Sequence, residues 1–173
     1  MSLRARSFAS ALAAVAVAAS GCESPGPAAA APSPGCAVWQ GLTEKVLGTT
    51  VNELGGPYPS QGNSSAYVAE LYGADGAKVG SIAGRTDISR RLLDGRLQEH
   101  AVETIELPGG VITAQGVYDA AAKLAGDRVR TGLVGTAGGY LGHLGDRYAR
   151  ATAGGESRVD LELCPPGMLR AGR

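Results

Sequence analysis

Between Val38 and Leu163 glycine cuts the chain into short pieces, and no other feature restricts its fold as tightly. Gly or Asp-Gly punctuation recurs every 10 to 15 residues, and the pieces between follow a period of two. Strands are expected at residues 44–54, 65–72, 77–88, 97–107, 111–118, 128–134, 148–152 and 158–163. Asp75-Gly76 sits between two such pieces and is a two-residue hairpin signal. In 97–107, Leu97, Ala101, Ile105 and Leu107 share one parity, and Gln98, His100 and Thr104 share the other. Only residues 119–124, DAAAKL, could form a turn or two of helix. Seven or eight short strands with almost no helix predict an all-β domain, either a sandwich or an antiparallel barrel.

The first residues are spent before this domain begins. Arg4 and Arg6 precede an apolar block, residues 8–19, which is too short to cross a bilayer and has the shape of a secretory signal. The block runs into AASGC, so residues 1–21 are expected as a leader, with Cys22 as a lipidated first residue. Ala19 stands where Leu is more usual at such sites, and ordinary cleavage within Ala28 to Ala31 is the alternative. Both routes export the domain. Residues 22–36 are rich in Pro, Ala and Ser and read as a flexible tether. Its 13 residues between Cys22 and Cys36 reach about 40 Å when extended. The barrel or sandwich is then 37–165, and 166–173 is an unstructured tail.

Export gives the two remaining cysteines a meaning. Cys36 and Cys164 lie near the two ends of the strand-rich region, in a compartment where disulfides persist. They are expected to pair, two separate thiols being the alternative. The chain-entropy model gives a loop of this size about 4 to 5 kcal/mol. A closed barrel places first and last strands side by side, where this pairing needs them. Losing the leader removes two of 16 basic residues and no acidic ones, leaving 14 against 16, a net charge of −2. The lysines and arginines form no stripe or run, which argues against a nucleic-acid partner.

LVGTAGGYLGHLG, residues 133–145, has the spacing of a dinucleotide loop. Such a loop must join a strand to a helix early in a βαβ unit, with an acidic residue about 20 positions further on. Here only 28 residues follow Gly145, and a helix across 140–151 would carry two interior glycines. No Gly-Lys-Ser/Thr follows for a phosphate loop either. A nucleotide cofactor is not expected, and no other cofactor is.

VITAQGVY (111–118), RVRTGLVGTAGGYLGHLG (128–145), YARAT (148–152) and RVDLEL (158–163) together resemble the C-terminal half of the allene oxide cyclase and dirigent barrels. Gly116 with Tyr118 matches that family's strand-end element. Gly135, Gly138, Tyr140 and Gly142 match its glycine-aromatic turn, with GTAGGY where the family more often has GGTGxY. AKVGSIAGR, residues 77–85, is similar to a glycine-spaced strand of bacterial members. The resemblance implies a small antiparallel calycin-like barrel of eight strands with an apolar cavity, in which the glycines serve bulges and close strand passages.

The resemblance also implies cofactor-free ring closure aided by a Glu and an Asn-held water on the first strand. Aligned on TTVNEL, the family's Glu falls on Thr50, while Asn52 and Glu53 remain as candidates. Tyr67 shares parity with Ala69 and Leu71, and Tyr72 with Val68 and Glu70, so one of the two can face the cavity while the other covers the outside, with simple core or surface filling as the alternative for either. Tyr67, Gln115 and Tyr118 are the expected ligand-binding residues, with Gln115 on the parity of Val111, Thr113 and Val117. Tyr118 and Tyr140 can equally serve as packing against glycine. His100 and His143 lie far apart in sequence with no cysteine or acidic cluster at zinc spacing, so no metal site is expected. A G-x-S-x-G nucleophile elbow is missing.

Two readings of function follow. One is an envelope-attached barrel that binds a hydrophobic small molecule in its lumen, held to the membrane through Cys22. The other is a cofactor-free cyclase, isomerase or coupling guide for an apolar substrate.

Overall fold

The computed structural model describes residues 35–54, 56–91, 93–152 and 154–168. They fall within one of the two units of the chain, residues 32–173. The expected leader, Cys22 with its lipid, and all of the tether up to residue 34 lie outside the described residues, as does the expected tail beyond 168.

Eight antiparallel strands follow one another in sequence order: β1 (Ala37–Asn52), β2 (Ser64–Tyr72), β3 (Lys78–Arg90), β4 (Leu97–Leu107), β5 (Gly110–Asp119), β6 (Val129–Gly138), β7 (Leu144–Ala151) and β8 (Glu156–Cys164). Each pairs with the next, and β8 pairs back onto β1, so the sheet is a closed barrel with no free edge. The sandwich alternative is excluded.

Closure rests on β1, whose first part pairs with β8 (Ala37↔Leu163 through Lys45↔Glu156) and whose later part pairs with β2 (Thr43↔Tyr72 through Asn52↔Ser64). The two pairings overlap only at residues 43–45 of its 16 residues. Register shifts at Trp39/Leu42 and Val46/Gly48 bend it round the corner. Gly41 in the first shift has φ +63°, and its N–H donates to Asp160 Oδ1 at 2.8 Å. One step beyond the Ala37↔Leu163 rung, Cys36 and Cys164 form a disulfide across 128 residues.

The one helix among the described residues is α1 (Ala120–Leu124), in the β5–β6 connection. Asp119 caps it, accepting from the N–H groups of Ala121 and Ala122. This is the DAAAKL segment expected as helical.

The glycine run is a strand end, a tight turn and a strand start. β6 extends through Gly138, and β7 begins at Leu144, earlier than the expected 148. A Cβ on Gly135 would overlap the carbonyl oxygen of Tyr140, and one on Gly145 would overlap that of Glu162. Backbone therefore passes backbone at both places, and only glycine fits. The turn's Tyr140 donates its hydroxyl to Pro108 O at 2.6 Å and meets Trp39 edge-on at 5.7 Å. These two rings cover one end of the lumen.

Behind them the interior is aliphatic. Leu71, Ile82, Ile105, Leu107, Ile112, Leu133, Leu161 and Leu163 are all buried in one cluster. The other end gathers the connections β1–β2, β3–β4, β5–β6 and β7–β8, and there the interior becomes polar.

Candidate functional site

Alternation decides which side chains reach the lumen. On β4 the inward set is Glu99, Ala101, Glu103, Ile105 and Leu107, all buried, while His100, Val102, Thr104 and Glu106 are exposed. Two glutamates therefore sit on the parity of the aliphatic core. Leu42 and Glu44 repeat the pattern on β1, and Arg147 and Ala149 repeat it on β7.

These charges meet across the barrel. Arg147 donates from Nη2 to Glu44 Oε2 at 2.6 Å and sets its Nε 3.3 Å from Glu103 Oε2 on β4. The second contact is a Coulombic pair without hydrogen-bond alignment, since neither of its two atoms has a hydrogen-bond partner. Tyr67 adds a hydrogen bond to Glu103 Oε1. It can do so because its ring lies over Gly84, its cross-strand neighbour, which in turn pairs with Glu103. A side chain at position 84 would collide with the Tyr67 ring. Glu44, Tyr67, Glu103 and Arg147 thus form a polar belt across the lumen, from strands β1, β2, β4 and β7. Thr131 Oγ1, next to Arg147 across the β6–β7 ladder, is buried and makes no hydrogen bond among the described residues.

Glu99 lies nearer the polar end and is fully buried. Its Oε2 accepts from the Tyr58 hydroxyl at 2.7 Å, and its Oε1 accepts from the Tyr118 hydroxyl at 3.1 Å. Lys123 of α1 pairs with the same Oε1 and lies 5.5 Å from the Tyr118 ring centre. Tyr58 belongs to residues 56–63, which close over this end. Asn63 folds them by accepting from Ser60 N–H and donating to Gly56 O, and backbone bonds Gly62 N–H to Ile88 O and Ile88 N–H to Asn63 O fasten them to β3.

The environment fixes the protonation of several groups. Burial pushes the hydroxyls of Tyr58, Tyr67 and Tyr118 above the usual tyrosine range, and the neighbouring glutamates push the same way. All three remain neutral hydrogen-bond donors at physiological pH. Burial pulls Arg147 down, but Glu103 and Glu44 outweigh it and raise the guanidinium above its ordinary value. Burial also raises the Glu44 carboxyl above 4.5, against the pull of Arg147. A folded state that holds this proton more tightly than the unfolded chain gains stability that is complete below 4.5 and is lost as pH rises through the raised value. The unfolding free energy of wild type minus that of Glu44→Gln, from denaturant titrations, should therefore fall as pH is raised from 4.5 towards neutrality; a rise would contradict the assignment.

The expected site residues divide. Tyr67 and Tyr118 face the lumen, Tyr67 with Ala69 and Leu71 and Tyr118 with Ile112 and Ala114. Gln115 does not: Ile112 and Ala114 are buried while Gln115 and Val117 are exposed, so Gln115 stands on the outer wall. Asn52, the last residue of β1, and Glu53 just beyond it are exposed, as is Thr50. None of the three reaches the belt. Tyr72 is on the outer face with Glu70 and Lys78. His143 is partly buried beside Tyr140. Among the described residues one group could reach a common metal ion, Cys36, Glu162 and Cys164, and its two sulfurs are joined in the disulfide. An open groove of about 970 Å³ touches Tyr67, but Thr50, Ala66, Val68, Ala83 and Val102 in its lining point outward, so it runs along the outer wall.

What the luminal groups can do is hold a polar atom of a ligand in a dry, hydrogen-bonding setting while aliphatic wall shapes the rest of it. With Tyr58, Tyr67 and Tyr118 kept neutral, these three serve orientation and hydrogen bonding.

The model of the allene oxide cyclase barrel-like domain matches residues 43–160. Among curated proteins none matches. Solved structures do. A Diels-Alderase from Streptomyces koyangensis superposes with a TM-score of 0.70 at 26% identity, over 75% of this chain and 64% of its own. A nonspecific haem-binding cyclase that catalyses a [4+2] cycloaddition in neoabyssomicin biosynthesis gives 0.69 at 26%, over 76% and 64%. An exo-specific intermolecular Diels-Alderase gives 0.67 at 26%, over 74% and 96%. The chain thus spans just under two thirds of the length of the first two.

Proposed function

The chain belongs to the allene oxide cyclase barrel-like family, and from that premise we propose that its barrel binds a hydrophobic small molecule in the polar half of the lumen. One observation carries the reading. Glu44, Glu99, Glu103, Arg147 and the partly exposed Lys123 bring five charged groups into a lumen whose other half is filled by leucine and isoleucine. Replacing buried ion pairs with aliphatic residues of similar size is often neutral or stabilising. A barrel selected for stability alone would have no need of them, whereas a ligand carrying an oxygen or nitrogen would. The ligand enters at the end covered by residues 56–63 and lies between Glu99 and the belt, against Tyr67, Tyr118 and Thr131.

The finer part of the proposal concerns place. Export and a diacylglycerol on Cys22 would hold the barrel at the outer face of the cell membrane. The Cys36–Cys164 disulfide supports export, because such bonds persist outside the cytoplasm.

A second reading is favoured by the three structural neighbours, two described as Diels-Alderases and one as a cyclase that catalyses a [4+2] cycloaddition. In it the same lumen holds an apolar substrate in the shape that leads to cyclisation or coupling, with no cofactor.

Native mass spectrometry of protein made in its own host tests the first reading. A bound mass that is released on unfolding, together with an acyl-modified Cys22 in the membrane fraction, is the expected result. Bare protein whose melting temperature no hydrophobic compound shifts would overturn it.

A further inference from the structure

We propose that the luminal site selects ligands bearing a neutral hydroxyl donor, a phenol or an enol, and that Tyr58 is the chain's own occupant of that position. The inference rests on the luminal-binding reading and names the chemistry of its ligand.

Glu99 has three partners from three elements. Tyr118 projects from β5 and Lys123 from α1, so both belong to the fixed frame and together satisfy Oε1. Oε2 is satisfied only by the Tyr58 hydroxyl, at 2.7 Å, among the described residues. Tyr58 is also the one partner carried on a covering segment, residues 56–63, whose main-chain attachment to the barrel is the pair of bonds around Ile88. Lifting that segment exposes one carboxylate oxygen at the bottom of a mouth lined by a fixed tyrosine. A molecule entering there must supply a donor, because a buried carboxylate oxygen left without one is strongly disfavoured.

Charge narrows the class. Glu99 is already matched by Lys123, so an ammonium ligand would set a second cation beside the first. A carboxylate ligand would face Glu99 with Glu103 and Glu44 behind it. A neutral hydroxyl on a flat unsaturated frame repeats what Tyr58 presents, in hydrogen-bond role and in shape.

The test measures binding of 4-phenylphenol, its methyl ether 4-methoxybiphenyl and biphenyl-4-carboxylate by calorimetry, to wild type, Tyr58→Ala and Tyr58→Phe. The ether keeps the shape and removes the donor. Removing the internal competitor in Tyr58→Ala should tighten 4-phenylphenol about ten-fold or more over wild type, and make it about ten-fold tighter than the ether. The carboxylate should bind more weakly than either. Tyr58→Phe keeps the ring in place and guards against a folding failure of the alanine variant: its preference for phenol over ether should still exceed that of wild type. Equal binding of phenol and ether in both variants overturns the donor-selective site while leaving luminal binding intact. Binding of no probe by variants that melt cooperatively overturns both.

Discussion

Replacing Cys36 and Cys164 together by alanine should lower the unfolding free energy by about 4 to 5 kcal/mol and the melting temperature by roughly 10 to 20 °C. The disulfide spans 128 residues, so in the unfolded chain it closes a loop containing the whole barrel, and its removal frees that loop. A native-state effect adds to this. The bond continues the β1–β8 ladder one step past Ala37↔Leu163, at the seam where the sheet must meet itself. Leu163 and Leu161 on that seam belong to the aliphatic cluster, and Trp39 packs against it, so a looser seam also loosens the end closed by Trp39 and Tyr140. Both cysteines must be changed, since a single free thiol could pair with Cys22. Calorimetric melts of oxidised wild type, reduced wild type and the double variant give the answer. Melting within about 3 °C across the three would mean that the ladder alone fixes closure, and the loop-entropy account would fail.

The strands were readable because their turns carry chemistry. Gly76, Gly95 and Gly109 have φ of +77°, +73° and +103°, where the sequence has Asp-Gly, Asp-Gly and Pro-Gly-Gly. The eight-strand closure needed more than local pattern. It came from the family resemblance and from the two cysteines, whose pairing requires first and last strands to be neighbours. The expected start of β7 falls four residues late because Gly145 looks like turn; it is strand, and it is glycine because the Glu162 carbonyl passes where a Cβ would stand.

The site was only half legible, for two separate reasons. Parity separated Tyr67 from Tyr72 without saying which faces inward, and the burial of Ala69 and Leu71 makes it Tyr67. It failed for Gln115 because β5 is apolar on both parities: valines line its outer wall, while Ala114 and Gly116 line the inside. Glu99 and Glu103 shared the parity of Ala101, Ile105 and Leu107 all along, and a stricter use of alternation would have put them indoors. Their partners were beyond reach of any such rule. Arg147 meets Glu44 across 103 residues, while Tyr58 and Lys123 lie off the strands altogether.

That belt yields the second large effect. Arg147→Met should cost about 3 to 5 kcal/mol, because Glu44 and Glu103 would then face one another in a closed lumen without their counter-ion. The size of this loss does not reveal what the belt is for, since breaking a buried pair always strands the remaining charge. Removing the whole belt does. In a combined variant with Glu44→Leu, Glu103→Leu, Arg147→Met and Tyr67→Phe, no charge is left unpaired, and the phenol that had leaned on Glu103 loses its hydroxyl with it. Stability should return to within about 1 to 2 kcal/mol of wild type or exceed it, while the binding of any ligand found in the native protein is lost. Stability regained and binding lost would mark the belt as retained for the ligand. A combined variant as unstable as Arg147→Met alone would instead make the belt part of what holds the barrel in shape, and the argument from its charges to a luminal ligand would fall.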